Sequence, residues 1–135
     1  VLRETDEFVS VITFLKYDLL TREAREELVP TALEQEVAVN CASPLHGGLL
    51  GSKRDHWIDK GRFAEDYDRL EKVESLLAGM NEPVERLSLR YLLSDPNVTM
   101  IPSGGSDIAE LEVSASVSDG QHLDEGLIRE IEALH

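Results

Sequence analysis

The chain has 135 residues, a length that suits one domain, and its 41% apolar content is enough for a core although aromatics make up only 5%. With 27 acidic residues against four lysines and nine arginines the net charge is −14, which argues against nucleic acid or an anionic membrane as a partner, because both attract basic surfaces. A halophile-like surface solvated by carboxylates and an ordinary acidic cytoplasmic protein both fit this balance.

FVSVITFL, Phe8 to Leu15, is short and rich in β-branched and apolar residues and predicts a buried strand. Tyr17 follows it, with Lys16 and Asp18 read as a surface pair. Thr21 is placed to cap a helix through REAREELVPTALEQ; Glu23 and Glu26 suit its first turns, and Pro30 should kink or restart it. VAVNCA, Val37 to Ala42, predicts a second buried strand holding Cys41. As the single cysteine, Cys41 excludes an internal disulfide, and its apolar setting predicts an inert buried thiol.

ASPLHGGLLG then opens a long polar loop, Ser43 to Arg62, with Gly47, Gly48, Gly51 and Trp57; His46 is expected on its exposed side, with contact to a ligand as the rival reading. Phe63, Tyr67, Leu70, Val73 and Leu77 recur at helical spacing, and Gly79 is a candidate C-cap. A helix starting at Asn81-Glu82-Pro83 presents Val84, Leu87, Tyr91 and Leu92, and Ser94-Asp95-Pro96-Asn97 stops it. VTMI, Val98 to Ile101, predicts a third strand, PSGGSD a loop, and two helices follow at about 107–117 and 124–134. The order β-α-β-(loop, α, α)-β-α-α predicts a parallel sheet covered by helices. Three parallel strands leave two unpaired edges, the first sign of a portion of something larger. A first residue that is Val rather than Met points the same way, to a processed chain or a fragment. No stretch is long enough to span a membrane, and no signal peptide is visible.

Two strand-end loops carry candidate chemistry, because ligands of parallel α/β folds gather at the carboxyl ends of strands. Glycine-rich backbone and free helix amides in SPLHGGLLG and IPSGGSD suit a phosphate, with Ser103 and Ser106 as hydroxyl donors; a plain capped turn explains the second loop as well. His46, His56 and Asp55 match no standard metal spacing, so no metal is expected. A G-x-S-x-G nucleophile elbow is lacking.

YDLL after a strand, then ASPLHGGLLG, then RLSLRYLLSDPNVTMIPSGGSDIAELE, together resemble the carboxyl-terminal part of an aldo-keto reductase, and SPL-x-x-GLL with Trp57 downstream resembles the aldose dehydrogenase and L-galactose dehydrogenase branch. The resemblance covers almost the whole chain in the family's order. It implies an α/β chain that forms residues 1–135 as a single partial domain, about three βα units and strands six to eight of a (β/α)8 TIM barrel. It also implies a cofactor, NAD or NADP. Ser43 and Leu45 match the positions beside pyrophosphate and nicotinamide, and Ser103, Gly104 and Gly105 match the adenosine phosphate loop; Gly47, Gly48, Ile101 and Ser106 are expected to bind the cofactor with them. Glu112, or the pair Val113 and Ser114, stands near the family's adenine position. Ala42 replaces an aromatic that stacks on nicotinamide in many relatives. NADP-preferring relatives often carry Lys or Arg in and after the adenosine phosphate loop; none stands between Pro102 and Val117, which favours NAD, or tolerance of both cofactors, over strict NADP use. Trp57 and Tyr17 are the residues expected beside a small carbonyl or sugar substrate, Tyr17 with a structural role as its rival and Trp57 with simple loop anchoring.

The family's catalytic Tyr, Asp, Lys and His come from earlier strands and are not in this chain. The expected function is therefore the cofactor-binding portion of an NAD(P)-dependent oxidoreductase acting on an aldose or aldehyde, inactive by itself. The alternative is a truncated nucleotide-binding or self-assembling half-barrel, completed by a missing amino-terminal half or by a second copy.

Overall fold

The computed structural model describes residues 2–4, 7–57, 61 and 63–135, with backbone alone at 3, 56 and 57. Strands β1 (Ser10–Phe14), β2 (Ala38–Ala42) and β3 (Val98–Met100) form one all-parallel sheet in that order. Ser10 to Phe14 pair in register with Ala38 to Ala42, and the β2–β3 ladder pairs Val39 with Val98 and Asn40 with Met100 across an irregularity.

Helices α1 (Glu23–Glu27) and α2 (Val29–Glu34) link β1 to β2. They are one interrupted helix: Pro30 sits in the first turn of the second piece, where its missing N–H costs nothing. Thr21 does not cap α1. Arg22 holds the N-cap position and its side chain makes no capping bond, while the Thr21 hydroxyl accepts from the Glu23 amide only at the long distance of 3.5 Å. Between β2 and β3 come α3 (Arg54–Trp57), α4 (Tyr67–Leu77) and α5 (Val84–Leu93); the segment expected as plain loop thus contains a short helix and a 3-10 turn at His46–Gly48. Gly79 is not a left-handed cap, since positive φ among glycines occurs at Gly47, Gly48 and Gly120, and α4 ends on Ala78 in ordinary helical geometry. Helices α6 (Ile108–Ser116) and α7 (Glu125–Glu132) follow β3, and the Asp107 and Asp124 carboxylates accept from their first-turn amides.

The core lies on one face of the sheet. Val39, Cys41, Leu19, Leu20, Leu49, Leu87, Leu92 and Ile131 are almost fully buried there, and Tyr17 and Tyr91 meet edge to face at 6.0 Å. Cys41 is buried, as its strand predicts, and burial, then the charges of Asp95 and Asp18, push its thiol up to about 12. Native chain is expected to resist iodoacetamide at pH 8 and to take up one equivalent once unfolded, as read by intact mass.

β1 is not the fully buried strand that its composition suggests. Val11 and Thr13 turn to the core, but Ile12 and Phe14 on the opposite face are 61% and 62% exposed. Met100, in register with Asn40 and so with Ile12, is likewise exposed. Among the described residues the strands are bare on one face and unpaired at both edges, which leaves the parallel sheet half covered, whereas such sheets are ordinarily covered on both faces. Among the described residues no helix is long and apolar enough to cross a membrane.

Candidate functional site

The loops after β2 and β3 leave neighbouring strands at the same end of the sheet. The first stops because Ser43 takes a left-handed conformation (φ 62°), and its hydroxyl then accepts from the Gly47 amide at 2.9 Å. Pro44 is fixed from below by α5, whose buried Ser88 donates to its carbonyl at 2.6 Å. Gly47 needs to be glycine: its φ is 62°, and a Cβ there would stand 2.9 Å from the ring of Phe63. In the second loop the Glu110 carboxylate accepts from the Ser106 amide at 2.5 Å while Asp107 accepts from the Glu110 amide at 3.0 Å, a reciprocal arrangement that locks the start of α6.

Between the loops lies a cleft of about 660 Å³, lined by Leu45, Gly47, Gly48, Gly51, Ser52 and Lys53 on one side and by Gly104, Gly105, Ser106, Ala109 and Val113 on the other. Lys53 spans it: its ammonium donates to the Ser106 hydroxyl at 2.6 Å and to Asp107 at 2.7 Å, with Glu110 at 3.0 Å. The hydrogen bonds to Asp107 and then Glu110 hold its pKa above the ordinary lysine value. A cation thus reaches the 102–117 loop from the other loop, already paired with two carboxylates.

The remaining expected residues fall elsewhere. Ile101 is half-buried against the core. Ser103 shares a 3.0 Å hydrogen bond with Ser114, and it is Val113 and Ser114 that face the cleft; Glu112 is exposed and lies outside it. Tyr17 is a core residue at 1% exposure rather than a cleft wall, donating to Asp95 at 2.6 Å; burial and that bond push its phenol well above the usual range. The Trp57 side chain lies outside the described residues.

His46 and Asp18 are the plainest corrections. His46 is 5% exposed and Asp18 fully buried, and Lys16 pairs with Glu23 instead. The His46 Nδ1 lies 2.8 Å from Asp18 and Nε2 lies 3.2 Å from Asp66, while Asp18 also accepts from the Leu20 amide at 2.7 Å. Burial pulls the imidazole pKa down, but the bond and charge of Asp18, reinforced by Asp66, raise it above its ordinary value. The carboxylates approach opposite ring nitrogens and share no common point, and among the described residues no cluster of three such side chains could hold a metal.

This chain belongs to the aldo/keto reductase family, whose sequence pattern matches residues 2–135. It is 32% identical over 108 residues to an uncharacterized oxidoreductase, YrpG, of Bacillus subtilis (strain 168), covering 71% of this chain and 32% of that protein. It is 27% identical over 104 residues to a D-threo-aldose 1-dehydrogenase of Pseudomonas sp, covering 74% and 32% respectively. The fold is that of the aldo-keto reductase AKR11C1 from Bacillus halodurans in its holo form, with a TM-score of 0.78 at 24% identity over 98% of this chain and 44% of that one. The chain thus spans about a third of the length of these curated relatives.

Proposed function

We propose that this chain is the nucleotide-gripping, carboxyl-terminal part of an aldo/keto reductase barrel, contributing strands six to eight. The observation that carries the reading is the pair of glycine-serine loops at the carboxyl ends of adjacent parallel strands, tied across one cleft by Lys53. The bare sheet face with Ile12, Phe14 and Met100 supports the partial-barrel reading, because the remaining strands of a barrel would close over it.

The cleft fits a dinucleotide. Gly104 stands clear, with nothing within 4 Å of where a Cβ would be, and Gly47 and Gly48 keep the facing wall low. Ser43, Leu45, Gly47 and Gly48 would hold the pyrophosphate and nicotinamide side, and Gly104, Gly105 and Ser106 the adenosine side. The nicotinamide supplies hydride exchange with an aldehyde or a sugar C1 hydroxyl. This chain's residues bind, orient and keep water from the ring; the proton-transferring groups come from outside it.

Cofactor choice follows from charge. Glu85, Asp107 and Glu110 border the cleft and Lys53 is the cation among its lining residues. An additional phosphate on the adenosine ribose would face this acidic surplus. NADH is expected to bind at least about ten-fold more tightly than NADPH, a difference of about 1.4 kcal/mol, in titrations following nicotinamide fluorescence; equal or tighter NADPH binding would reverse the assignment. Failure to bind either cofactor at millimolar concentration would defeat the function itself. The same bare face favours a second reading, self-association into a half-barrel assembly. Sedimentation of the 135-residue chain separates the two: assembly without dinucleotide binding supports the second.

A further inference from the structure

We infer that His46 is a positioning residue, clamped between Asp18 and Asp66, that holds the glycine loop 43–51 in the form that admits a dinucleotide. The inference rests on the nucleotide-binding reading above. Three separate pieces of chain meet at this ring: Asp18 follows β1, His46 opens the glycine turn after β2, and Asp66 leads into α4. His46 itself sits at φ 50°, a strained conformation for a residue with a Cβ, next to Gly47 at φ 62°. The Phe63 ring packs on the imidazole at 5.4 Å and closes against Gly47, so the segment 63–66 is the back wall of the loop.

With both nitrogens protonated, the ring donates to both carboxylates at once. A neutral ring has one N–H, and its bare nitrogen would then face a carboxylate. Asp18 is the firmer partner, shorter in distance, fully buried and already bound to the Leu20 amide; Asp66 is 23% exposed and at 3.2 Å. Loss of the proton therefore releases Asp66, and with it the wall that Phe63 forms behind Gly47. Other charges border the same hollow: Lys16 from the β1 end, Arg22, Glu23, Glu26 and Glu27 of α1 and the turn before it, Glu65 and Arg69 around the start of α4, and His135. They mix both signs and stand outside the two bonds to the ring. The imidazole proton is favoured by its two bonds, so the clamp is complete on the acid side and opens as the pH rises through the raised imidazole value.

The test follows the amides of Leu49, Leu50 and Gly51, which bond to His46, Leu45 and Gly48. Their exchange protection, corrected for intrinsic rates, is measured by NMR from pH 6 to 9 in the native chain, His46→Gln and Asp66→Asn, with NADH affinity measured in parallel. In the native chain, protection and affinity are expected to fall about ten-fold across that range. Both variants are expected to be flat and low, with the α5 amides still protected. Native loop amides that keep their protection at pH 9, or a His46→Gln chain that titrates as the native one does, would overturn the inference. Should a variant fail to fold, the native profile alone decides. Loop amides that titrate in a chain binding no NADH would defeat the nucleotide reading and leave the clamp standing, whereas NADH binding that ignores pH together with an untitrated loop would do the reverse.

Discussion

Replacing Asp18 with alanine is expected to lower the unfolding free energy by about 3 kcal/mol, because removing one partner of a buried charged pair leaves the other without compensation. Asp18 is fully buried, and its removal strips His46 Nδ1 and the Leu20 amide of their acceptor together. The effect carries a pH signature. The His46 pKa is higher in the folded chain than its ordinary value, so its bridge contributes fully below the unfolded value of about 6.5 and fades as pH rises through the folded one. Urea unfolding of the native chain and Asp18→Ala should therefore differ most near pH 6 and progressively less above it. Equal stability of the two at pH 6 would mean that the bridge is not formed.

Gly47→Val is expected to cost about 2 kcal/mol through its left-handed backbone and to weaken NADH binding by about ten-fold. Two independent obstacles meet at this position, a φ of 62° that a β-branched residue resists and a Cβ site 2.9 Å from the Phe63 ring. The ring can turn aside only by loosening its packing on His46. Gly104→Ala is the contrasting case, since nothing stands within 4 Å of its Cβ position, and it should leave stability within about 0.5 kcal/mol. Unfolding midpoints separate these two glycines, one fixed by backbone geometry and the other bordered by open space.

What was legible along the chain was whatever has a local cause. Strand positions followed from short β-branched runs, the α1–α2 break from Pro30, and the α6 and α7 starts from Asp107 and Asp124, each of which acts within a few residues of itself. The two strand-end loops were visible because glycine and serine cluster there. What escaped notice has distant causes. Asp18 looks like half of a surface pair beside Lys16, and only the fold brings it to His46, 28 residues away. Lys53 lies within the polar loop Ser43 to Arg62, where no local pattern singles it out, yet it bonds to Asp107, 54 residues further on. Gly79 failed as a cap for the opposite reason: α4 ends into a turn that keeps ordinary helical backbone, so a glycine was permitted there without being required. The exposure of β1 was hidden because composition reports that a strand is apolar, not how many of its faces find cover.

The parallel sheet also sets an order of assembly. Ser10 finds Ala38 across 28 residues, while Val39 finds Val98 across 59. Each doubling of a closed loop adds about 0.6 kcal/mol of entropy cost, and contacts between distant residues form slowly. The β1–β2 ladder, bridged by the interrupted α1–α2 helix, is therefore expected to close before β3 docks. The glycine loop after β2 exists from that earlier closure, but the wall opposite it arrives only with β3 and α6. The tie from Lys53 to Asp107 then marks the last closure, and a chain arrested before it would carry one side of the cleft already shaped and facing water.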